Sequence, residues 1–318
     1  MKICILGGTG FIGKNLAVYL SNRGYSVIIP SRKPELAKDL KVLPKIKIIP
    51  ADIHQEKILF KIIDDCEIVI NTIGILNEKR GGKNKFQYVH IDFLKKILSV
   101  CRSSKISHFI HISALKADFK LGTSKYLRSK GKGEIIVKDL SKNNFNFTIF
   151  QPSIVFGKED SFINLFAKII RFFPLIPLAG YKTRFAPIFV DDISKIIYLS
   201  INNYKSYNKT FQLCGPEILS LKEIVLKIAE TINLNIKVIC IPKWIAYIQA
   251  FVMSYLIPGK ILTIDNLNSM SMDSVCTKNG FDIFDLSNDL SSLTPTIQKY
   301  LNQYDSNNKF SNLRNKKI

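Results

Sequence analysis

Three side chains of the kinds that move protons are spaced so that one fold could bring them together. Tyr126 and Lys130 lie four residues apart, so a helix would carry both on one face. A nearby ammonium lowers the pKa of a phenol, which would let Tyr126 act as an acid or a base. Ser113 follows an apolar run and could hold a substrate carbonyl or alcohol. The pattern therefore predicts an acid–base site with Ser113, Tyr126 and Lys130 as its catalytic residues.

A second interpretation of the helical pair requires no chemistry. In it, Tyr126 caps the helix and Lys130 binds only the ribose of a neighbouring cofactor. Both interpretations place Lys130 against a cofactor, and they differ in the role of Tyr126.

The first residues of the chain predict where a cofactor would bind. A strand pattern, Lys2–Leu6, runs into Gly7, Gly10 and Gly13, and an amphipathic run follows from Phe11. Gly7 can take a tight turn with positive φ, Gly10 leaves room for phosphates, and Gly13 allows close packing of the helix. The helix would point its N-terminal amides at an anion. The alternative is a tight strand-to-helix turn without a ligand. The residues expected to bind a nucleotide here are Gly7, Gly8, Thr9, Gly10, Phe11, Ile12 and Gly13.

The end of the second predicted strand favours a phosphorylated dinucleotide. An acid at this place binds ribose hydroxyls in nucleotide-binding βαβ units, but here Ser31 is followed by Arg32 and Lys33. A carboxylate would repel a ribose phosphate, whereas Arg32 can pair with one through two parallel hydrogen bonds. We therefore expect NADP(H) to be preferred over NAD(H). The alternative is that Arg32 and Lys33 are solvated loop charges.

Further cofactor contacts are expected where other predicted strands end. Asp52, with Ile53 beside it, ends the third strand and is placed to meet the adenine edge. Asn71 and Gly74 follow the fourth strand and would lie along the diphosphate and the ribose. Pro152, two residues after the sixth predicted strand, completes the predicted cofactor set.

Strands and helices alternate along most of the chain, as in a parallel sheet that is covered on both faces. The predicted strands are Lys2–Leu6, Ser26–Pro30, Lys45–Pro50, Glu67–Asn71, His108–Ile112, Phe145–Phe150 and Thr210–Cys214. The predicted helices are one from Phe11, then Gln55–Asp64, Asn84–Cys101, Ser124–Ser141, Phe162–Phe173, Ile193–Ile201 and Leu219–Ile232. The predicted fold class is α/β, a Rossmann-type doubly wound parallel sheet with a smaller α/β C-terminal domain of the substrate-binding type.

The alternation becomes irregular beyond Pro152, which suggests two domains. The NAD(P)-binding domain would comprise residues 1–151 and about 186–213. The smaller domain, for a substrate or a partner, would comprise residues 152–185 and 214–304. The polar residues 305–318 are expected to form a flexible tail.

The composition is that of a globular protein, with 47% hydrophobic and 22% charged residues among 318. The net charge is +21, but the lysines are spread along the chain, so we expect no nucleic-acid partner. An acidic membrane surface or an acidic partner stays compatible with this charge. The six cysteines lack a CxxC pair and the four histidines lack metal-ligand spacing. We therefore expect reduced core cysteines and no metal site.

No targeting segment precedes the first predicted strand, which favours a cytoplasmic protein. The longest apolar stretch, Trp244–Ile257, is shorter than the ~20 residues of a membrane span, so no transmembrane segment is expected. That stretch and Phe162–Pro177 could face the inner respiratory membrane peripherally, or a large partner. Lining a substrate pocket is the alternative for both segments.

Taken together, Gly7 to Gly13, Ser113, Tyr126 and Lys130 resemble the extended and atypical short-chain dehydrogenase/reductases. The segment Gln151-Pro-Ser-Ile-Val-Phe-Gly157 is similar to the one that leaves the sixth strand in that superfamily, although Gln151 stands where arginine is usual. The resemblance implies a Rossmann domain that binds NAD(P) and an oxidoreductase-type or epimerase/dehydratase-type site.

Several stretches are similar to one branch of this superfamily, the NADPH-binding accessory subunit of respiratory complex I (NADH:ubiquinone oxidoreductase) and its bacterial relatives. They include Thr72-Ile-Gly74-Ile-Leu, Tyr88-Val-His90, Ser124-Lys-Tyr126-Leu-Arg-Ser-Lys130, Thr183-Arg184-Phe185 and Cys214-Gly-Pro-Glu217. The resemblance covers roughly residues 1 to 304. It implies tightly held NADP(H) and a role in the assembly or stability of complex I or another quinone-linked complex.

The same resemblance also implies an alternative function. Intact Ser113, Tyr126 and Lys130 fit an active NADP(H)-dependent reductase, epimerase or isomerase. His90 replaces the asparagine that is usual at that point in active enzymes of the superfamily, which argues against an efficient proton relay.

Overall fold

The computed structural model describes residues 1–78, 82–242, 244–248 and 263–301. The predicted tail, residues 305–318, and most of the apolar stretch Trp244–Ile257 lie outside the described residues. The chain divides into two compact units. Unit 1 contains Met1–Pro152, Val190–Leu213 and Thr277–Ser287, and unit 2 contains the described residues of the three remaining segments.

Seven parallel strands form the sheet of unit 1, in the order β3-β2-β1-β4-β5-β6-β11. The strands are β1 (Lys2–Leu6), β2 (Ser26–Ser31), β3 (Ile46–Pro50), β4 (Ile68–Asn71), β5 (His108–Ile112), β6 (Asn146–Pro152) and β11 (Lys209–Leu213). Successive side chains of a strand point to opposite faces, and here residues on both faces are buried. This explains why the strands read as continuous apolar runs.

Helices cover both faces of this sheet. They are α1 (Phe11–Asn22), α2 (Glu56–Ile63), α3 (Phe93–Arg102), α4 (Lys125–Ser141) and α6 (Val190–Ser200). Apolar side chains of α2, α3 and α4 form one buried cluster with alternate residues of the strands. Helices α1 and α6 pack against each other elsewhere in the unit. The predicted doubly wound architecture is confirmed, with the predicted sheet strands in place to within two residues at each end.

One predicted helix is divided in the structure. The stretch expected to be a helix over Asn84–Cys101 consists of a π-helix, Gln87–Asp92, followed by α3. The wider turns of a π-helix are frequently found at functional sites. One residue of this segment, His90, is part of the site described below.

Unit 2 has its own hydrophobic core, built by α5 (Phe162–Phe172), α7 (Leu221–Thr231) and α9 (Leu293–Leu301). A further helix is α8 (Ile264–Ser269). Three short strand pairs complete the unit. They are β7 (Val155–Phe156) with β10 (Ile188–Phe189), β9 (Arg184–Phe185) with β12 (Leu219–Ser220), and β8 (Leu175–Leu178) with β13 (Lys237–Cys240). The strand character of these pairs was not predicted, because runs of two to four residues are too short to show a period.

The chain returns to unit 1 at residues Thr277–Ser287. The predicted domain boundaries do not include this segment in the NAD(P)-binding domain. Asn279 forms a β-bridge with Gln212, and the side-chain oxygen of Gln212 accepts a hydrogen bond from Thr277 N at 2.8 Å. The segment thus extends the sheet edge at β11. None of the helices in the described part of the chain combines the length and apolar composition that a bilayer span requires.

The expectation that all six cysteines are reduced is wrong. Cys214 and Cys276 form a disulfide, with a Cα–Cα distance of 6.0 Å and a sequence separation of 62 residues. Cys214 directly follows β11, and Cys276 directly precedes the returning segment. Cys4, Cys66 and Cys101 are free and buried, as predicted for core residues, and Cys240 is free and exposed.

Breaking the disulfide should destabilise the oxidised protein. Closing a loop of 62 residues removes conformational entropy from the unfolded chain, and a cross-link of this kind typically contributes about 2–4 kcal/mol. We expect Cys276→Ser to lower the free energy of unfolding in urea by that amount. The exposed free thiol makes Cys240→Ser a matched control, which should leave stability unchanged. If chemical reduction of the wild type left its unfolding midpoint unchanged, the disulfide would not be part of the folded protein in solution.

Candidate functional site: a dinucleotide cradle beside a locked polar cluster

The glycine-rich turn after β1 is formed by very close backbone contacts. Gly7 has φ +84°, and a Cβ atom there would lie 2.7 Å from Thr72 Oγ1, at the end of β4. A Cβ at Gly13 would lie 2.4 Å from Gly7 O, so α1 can approach the turn this closely only without a side chain. A Cβ at Gly10 would meet only Gly7 O, at 3.3 Å. A side chain at Gly10 would therefore enter the open space of the turn, with one tight contact to that carbonyl.

The N-terminus of α1 is left available for an anion. Gly10 is the N-cap and offers no side chain to bond the first amides, and the first turn has no acidic residue. The N–H groups of a first helical turn have no acceptor within the helix, and the dipole makes this end positive. The predicted phosphate-binding residues from Gly7 to Gly13 thus surround one open helix end, which fits a diphosphate.

The ends of β2 and β3 lie side by side, because Ala51 N donates to Ser31 O at 3.0 Å. Ser31 is buried, and its Oγ accepts from Lys33 N at 3.1 Å, which turns the chain and leaves Arg32 exposed. Asp52 and the buried Ile53 follow β3 at the same edge. The residues predicted to contact the adenosine half are therefore close to one another.

Asn71, at the end of β4, is buried, and both the oxygen and the nitrogen of its side-chain amide form hydrogen bonds. Its Oδ1 accepts from Ile73 N at 3.1 Å, and its Nδ2 lies 3.1 Å from His111 Nδ1. An amide nitrogen can only donate, so His111 Nδ1 is the acceptor and the ring is neutral with its proton on Nε2. Burial lowers the pKa of His111 well below its usual value. Asn71 thus fixes the chain at the end of β4, where the structure places it close to the cluster around Lys130.

Lys130 is buried among these groups, and its side-chain nitrogen donates a hydrogen bond to the backbone. Its Nζ donates to Ile112 O at 3.0 Å, and a Cβ at Gly74 would lie 3.1 Å from Nζ. Burial lowers the pKa of Lys130 to about 8, while the carboxylate of Glu134 acts in the opposite direction. Gly74, which follows β4, is thus the residue against which the ammonium lies, as expected if both contact one ribose.

The structure gives Ser113 a hydrogen-bond partner that the sequence did not predict, Glu134. Its hydroxyl donates to Glu134 Oε1, and Gln151 Nε2 donates to both oxygens of the same carboxylate at 2.8 and 3.0 Å. All three side chains are buried. Burial raises the pKa of Glu134, and the bonds from Ser113 and Gln151 act against this. Ser113 therefore links the end of β5 to α4, and its proton is directed at Glu134.

Glu134 and Gln151 are buried polar residues of this cluster that the search for catalytic types missed. Glu134 lies four residues beyond Lys130, so Tyr126, Lys130 and Glu134 form one line along α4. That spacing was the available signal. The partner of Glu134 on β6, Gln151, stands at the position where the superfamily usually has arginine, so this chain holds the carboxylate with an amide.

Tyr126 is half-buried in the first turn of α4, with its ring 5.9 Å from Phe86 and 5.8 Å from His90, centroid to centroid. Burial raises the pKa of Tyr126, opposite in direction to the predicted effect of Lys130. Ser124, not Tyr126, caps this helix, because its Oγ accepts from Leu127 N at 3.1 Å. The capping role considered for Tyr126 is therefore wrong.

His90 links the segment after β4 to α4 in a single protonation state. Its Nε2 accepts from Ile75 N at 3.1 Å, so Nδ1 carries the proton and donates to Ser129 Oγ at 2.8 Å. Ser129 in turn donates to Tyr126 O at 2.7 Å. Burial, with the charge of Lys130 next in importance, lowers the pKa of His90 to about 2. A ring whose two nitrogens are both engaged cannot relay a proton without breaking one of these bonds.

These residues surround one small cavity. Its polar lining consists of Asn71, His90, His111 and Lys130, and Gly133 closes it from α4. Pro152 ends β6, and its carbonyl accepts from Leu115 N at 2.9 Å. Among the described residues, no group of three or more His, Cys, Asp or Glu side chains could hold a metal ion.

The strand order, the open glycine-rich turn and the bare helix N-terminus together define a Rossmann-type dinucleotide-binding fold. The chain belongs to the NAD dependent epimerase/dehydratase family, which matches residues 3–214. This membership confirms the predicted superfamily and supports a nicotinamide dinucleotide as the cofactor.

Two relatives are named as subunits of one respiratory enzyme. The chain is 32% identical over 230 residues to mitochondrial NADH dehydrogenase [ubiquinone] 1 alpha subcomplex subunit 9 of Mus musculus, covering 70% of this chain but 58% of that protein. It is 24% identical over 307 residues to the mitochondrial NADH-ubiquinone oxidoreductase 40 kDa subunit of Neurospora crassa, covering 95% and 79%. The chain thus spans less than two thirds of the length of the mouse relative.

The fold also matches solved structures of sugar-nucleotide enzymes. A dTDP-glucose 4,6-dehydratase double mutant from Streptomyces venezuelae, with NAD bound, superposes with a TM-score of 0.74 at 14% identity over 98% of each chain. The identity is low, so this likeness establishes the fold alone.

Replacing Lys130 by methionine should stabilise the empty protein at neutral pH. The folded state holds an ammonium out of water, and a fall in pKa from 10.5 to about 8 corresponds to about 3 kcal/mol. Loss of the hydrogen bond to Ile112 O lowers the free energy of unfolding of the variant by about 1 kcal/mol, which offsets part of this gain. We therefore expect Lys130→Met to raise the free energy of unfolding at pH 7 by about 2 kcal/mol.

The pH dependence identifies the cause. Above pH 8 the folded wild type releases the Lys130 proton while the unfolded chain keeps it, so wild-type stability rises towards pH 10.5 and the advantage of the variant disappears. Urea unfolding at several pH values measures this difference, and Lys95→Met, at an exposed lysine of α3, is the control. A variant less stable than the wild type at pH 7 would contradict the explanation.

Proposed function

We propose that this protein holds NADP(H) tightly and contributes to the assembly or stability of complex I or another quinone-linked respiratory complex. The observation that carries the proposal is the bond from Ser113 to Glu134, because it uses one of the three predicted catalytic side chains as a structural fastening. The elements suited to holding a cofactor, the glycine-rich turn and Lys130, stay in place. The mouse and Neurospora relatives, both subunits of that respiratory enzyme, support the choice of partner.

The alternative is a reductase, epimerase or isomerase that uses Tyr126 as the acid–base group. The Tyr126–Lys130 pair on one face of α4 favours it, and a pKa of about 8 would let Lys130 exchange protons near neutrality. The raised pKa of Tyr126 and the locked His90 favour the first proposal. A bound nicotinamide would supply hydride chemistry in either case, and Lys130 would orient its ribose.

Preference for NADP(H) should depend on Arg32. The guanidinium is exposed beside the buried Ser31, and hydrogen bonds to charged groups contribute about 1.5–3 kcal/mol. We expect Arg32→Gln to weaken NADPH binding by about 10- to 100-fold in a fluorescence titration and to leave NADH binding within about twofold. Lys38→Gln, at another exposed cation in the segment after β2, should change neither. Tighter binding of NADH than of NADPH by the wild type would remove the preference.

Association with a respiratory complex should require the bound cofactor and not Tyr126. Valine at Gly10 would occupy the phosphate space at the cost of a small shift of the turn, because a Cβ there makes one tight contact, to Gly7 O at 3.3 Å. After mild detergent extraction and native electrophoresis, we expect the wild type and Tyr126→Phe to migrate with a large complex. We expect Gly10→Val to lose both the cofactor and this migration.

The same variants distinguish the alternative, an active enzyme, from the assembly role. If the protein is an enzyme, Tyr126→Phe should abolish cofactor turnover with nearly unchanged cofactor affinity. A wild type that migrates only as a small species would overturn the assembly role and leave cofactor binding intact.

A further inference from the structure

The strand pair β8–β13 of unit 2 stands next to two strongly exposed phenylalanines. Helix α5 ends at Phe172, and the side chains of Phe172 and Phe173 are 75% and 59% exposed. Strand β8 begins at Leu175, and the backbone N of Lys237, at the start of β13, donates to Pro174 O at 2.8 Å. The two phenylalanines therefore lie beside the beginning of the strand pair.

The strand pair has one buried face and one exposed face. In β8, the alternate residues Leu175 and Pro177 are exposed, and the other two are buried in the core of unit 2. Residues that stand opposite each other in neighbouring strands point to the same side of the sheet. The register pairs Leu175 with Lys237 and Pro177 with Ile239, and both of these β13 residues are exposed. The outer face of the pair therefore presents apolar side chains and one lysine to solvent.

A short helical stretch, residues 244–248, continues the exposed apolar side chains beyond β13. It is anchored by Ala246, which lies in a small buried cluster with Ala179, the residue directly after β8. Trp244 and Ile248 are four residues apart, so they share one side of the stretch, and they are 66% and 56% exposed. We call the following set the apolar surface: Phe172, Phe173, Leu175, Ile239, Trp244 and Ile248.

The two stretches of sequence that supply the apolar surface contain no acidic residue. Residues 161–190 and residues 231–264 lack aspartate and glutamate, and they contain seven lysines and arginines between them. All 25 acidic residues of the chain lie outside these stretches. The strand pair brings the two stretches together, because β8 belongs to the first and β13 to the second. The charge contributed by the chain around the apolar surface is therefore mainly positive.

Three exposed cations flank the apolar surface. Lys168 and Arg171 lie on α5 shortly before its end, and Lys237 lies on the exposed side of β13. Within the described part of the chain, none of the three forms an ion pair. Aromatic and aliphatic side chains flanked by lysine and arginine are typical of surfaces that enter the headgroup region of an anionic bilayer. Protein–protein interfaces are instead depleted of lysine, so the composition favours a lipid partner.

We propose that the apolar surface docks onto an anionic lipid bilayer, with its aromatic rings among the headgroups and Lys168, Arg171 and Lys237 at the lipid phosphates. Long basic side chains can keep their stems beside apolar groups while their charged ends reach the phosphates. Every residue of the apolar surface belongs to unit 2, whereas the glycine-rich turn and Lys130 belong to unit 1. The inference therefore goes beyond the proposed function and does not depend on a bound cofactor.

Flotation of the full chain with lipid vesicles tests the proposal. The probes are vesicles of phosphatidylcholine alone and vesicles in which about one third of the lipid is phosphatidylglycerol. We expect the wild type to float with the anionic vesicles, and Phe172→Ser to weaken this partitioning about tenfold because a ring no longer leaves water. Tyr204→Ser, at a 79% exposed aromatic residue of unit 1, is the matched control and should stay within about twofold of the wild type.

The dependence on charge identifies the lipid phosphate as the partner of the cations. The double variant Arg171→Gln/Lys237→Gln should lose about 25-fold in partitioning to anionic vesicles, about fivefold for each charge, and nothing in partitioning to neutral vesicles. Lys47→Gln, at an exposed lysine on a strand of unit 1, is the control for the loss of charge. Trp244 is the only tryptophan of the chain, so its emission should shift to shorter wavelength when the anionic vesicles bind.

The outcomes separate this inference from the proposed function. A wild type that does not float with anionic vesicles would overturn the inference, as would equal losses in Phe172→Ser and Tyr204→Ser. Flotation without a change in Trp244 emission would also overturn it, because another surface would then make the contact. If Phe172→Ser left the large complex in native electrophoresis while the wild type bound no vesicles, the apolar surface would contact a protein and not lipid. Flotation of a wild type that migrates only as a small species would support the inference and overturn the assembly role alone.

Discussion

The contact between Gly13 and the carbonyl of Gly7 is the constraint on which the rest of unit 1 depends. The helix α1 can start directly above β1 only because no side chain separates the two backbones. This close approach brings the positive end of α1 to the carboxyl ends of the strands. The neighbouring strands β1 and β4 end there, and the direction of the strand order reverses between them. An anion bound there is solvated by backbone amides that need no rearrangement. All other candidate residues are positioned relative to this point.

Near this end of α1 the protein buries several polar side chains. Most of them are either uncharged or supplied with hydrogen-bond partners. His90 and His111 are held in defined neutral forms by bonds at Ile75 and Asn71, and Glu134 receives hydrogen bonds from two side chains. Such groups are costly when a partner is missing, so a complete network makes the local geometry rigid. Lys130 is the exception, a buried cation whose Nζ donates to a backbone carbonyl, Ile112 O, and not to a carboxylate within hydrogen-bond distance among the described residues. A binding site tolerates such a cost when a ligand later supplies the missing interactions.

The fold could be predicted because each strand carries an apolar run and each covering helix a regular face. The cofactor loop could be predicted for a similar reason, since its glycines follow a strand and precede a helix. Contacts between residues that are distant in the sequence could not be predicted. Ser113 and Glu134 are 21 positions apart and Cys214 and Cys276 are 62 apart, and only the tertiary fold brings them together. The π-helix at Gln87–Asp92 has no period distinct enough to separate it from α3.

The pKa of Tyr126 shows why residue types alone did not decide between a catalytic and a holding role. Tyrosine and lysine at a spacing of four can form an acid–base pair only if the ammonium acts on the phenol more strongly than burial does. Here Lys130 is turned towards Ile112 O and Gly74, its own pKa is depressed, and burial determines the state of Tyr126. The same sequence pattern therefore supports two electrostatic outcomes. The buried carboxylate of Glu134, one turn further along α4, accepts the hydrogen bond of Ser113, and this contact favours the proposal in which the cofactor is held.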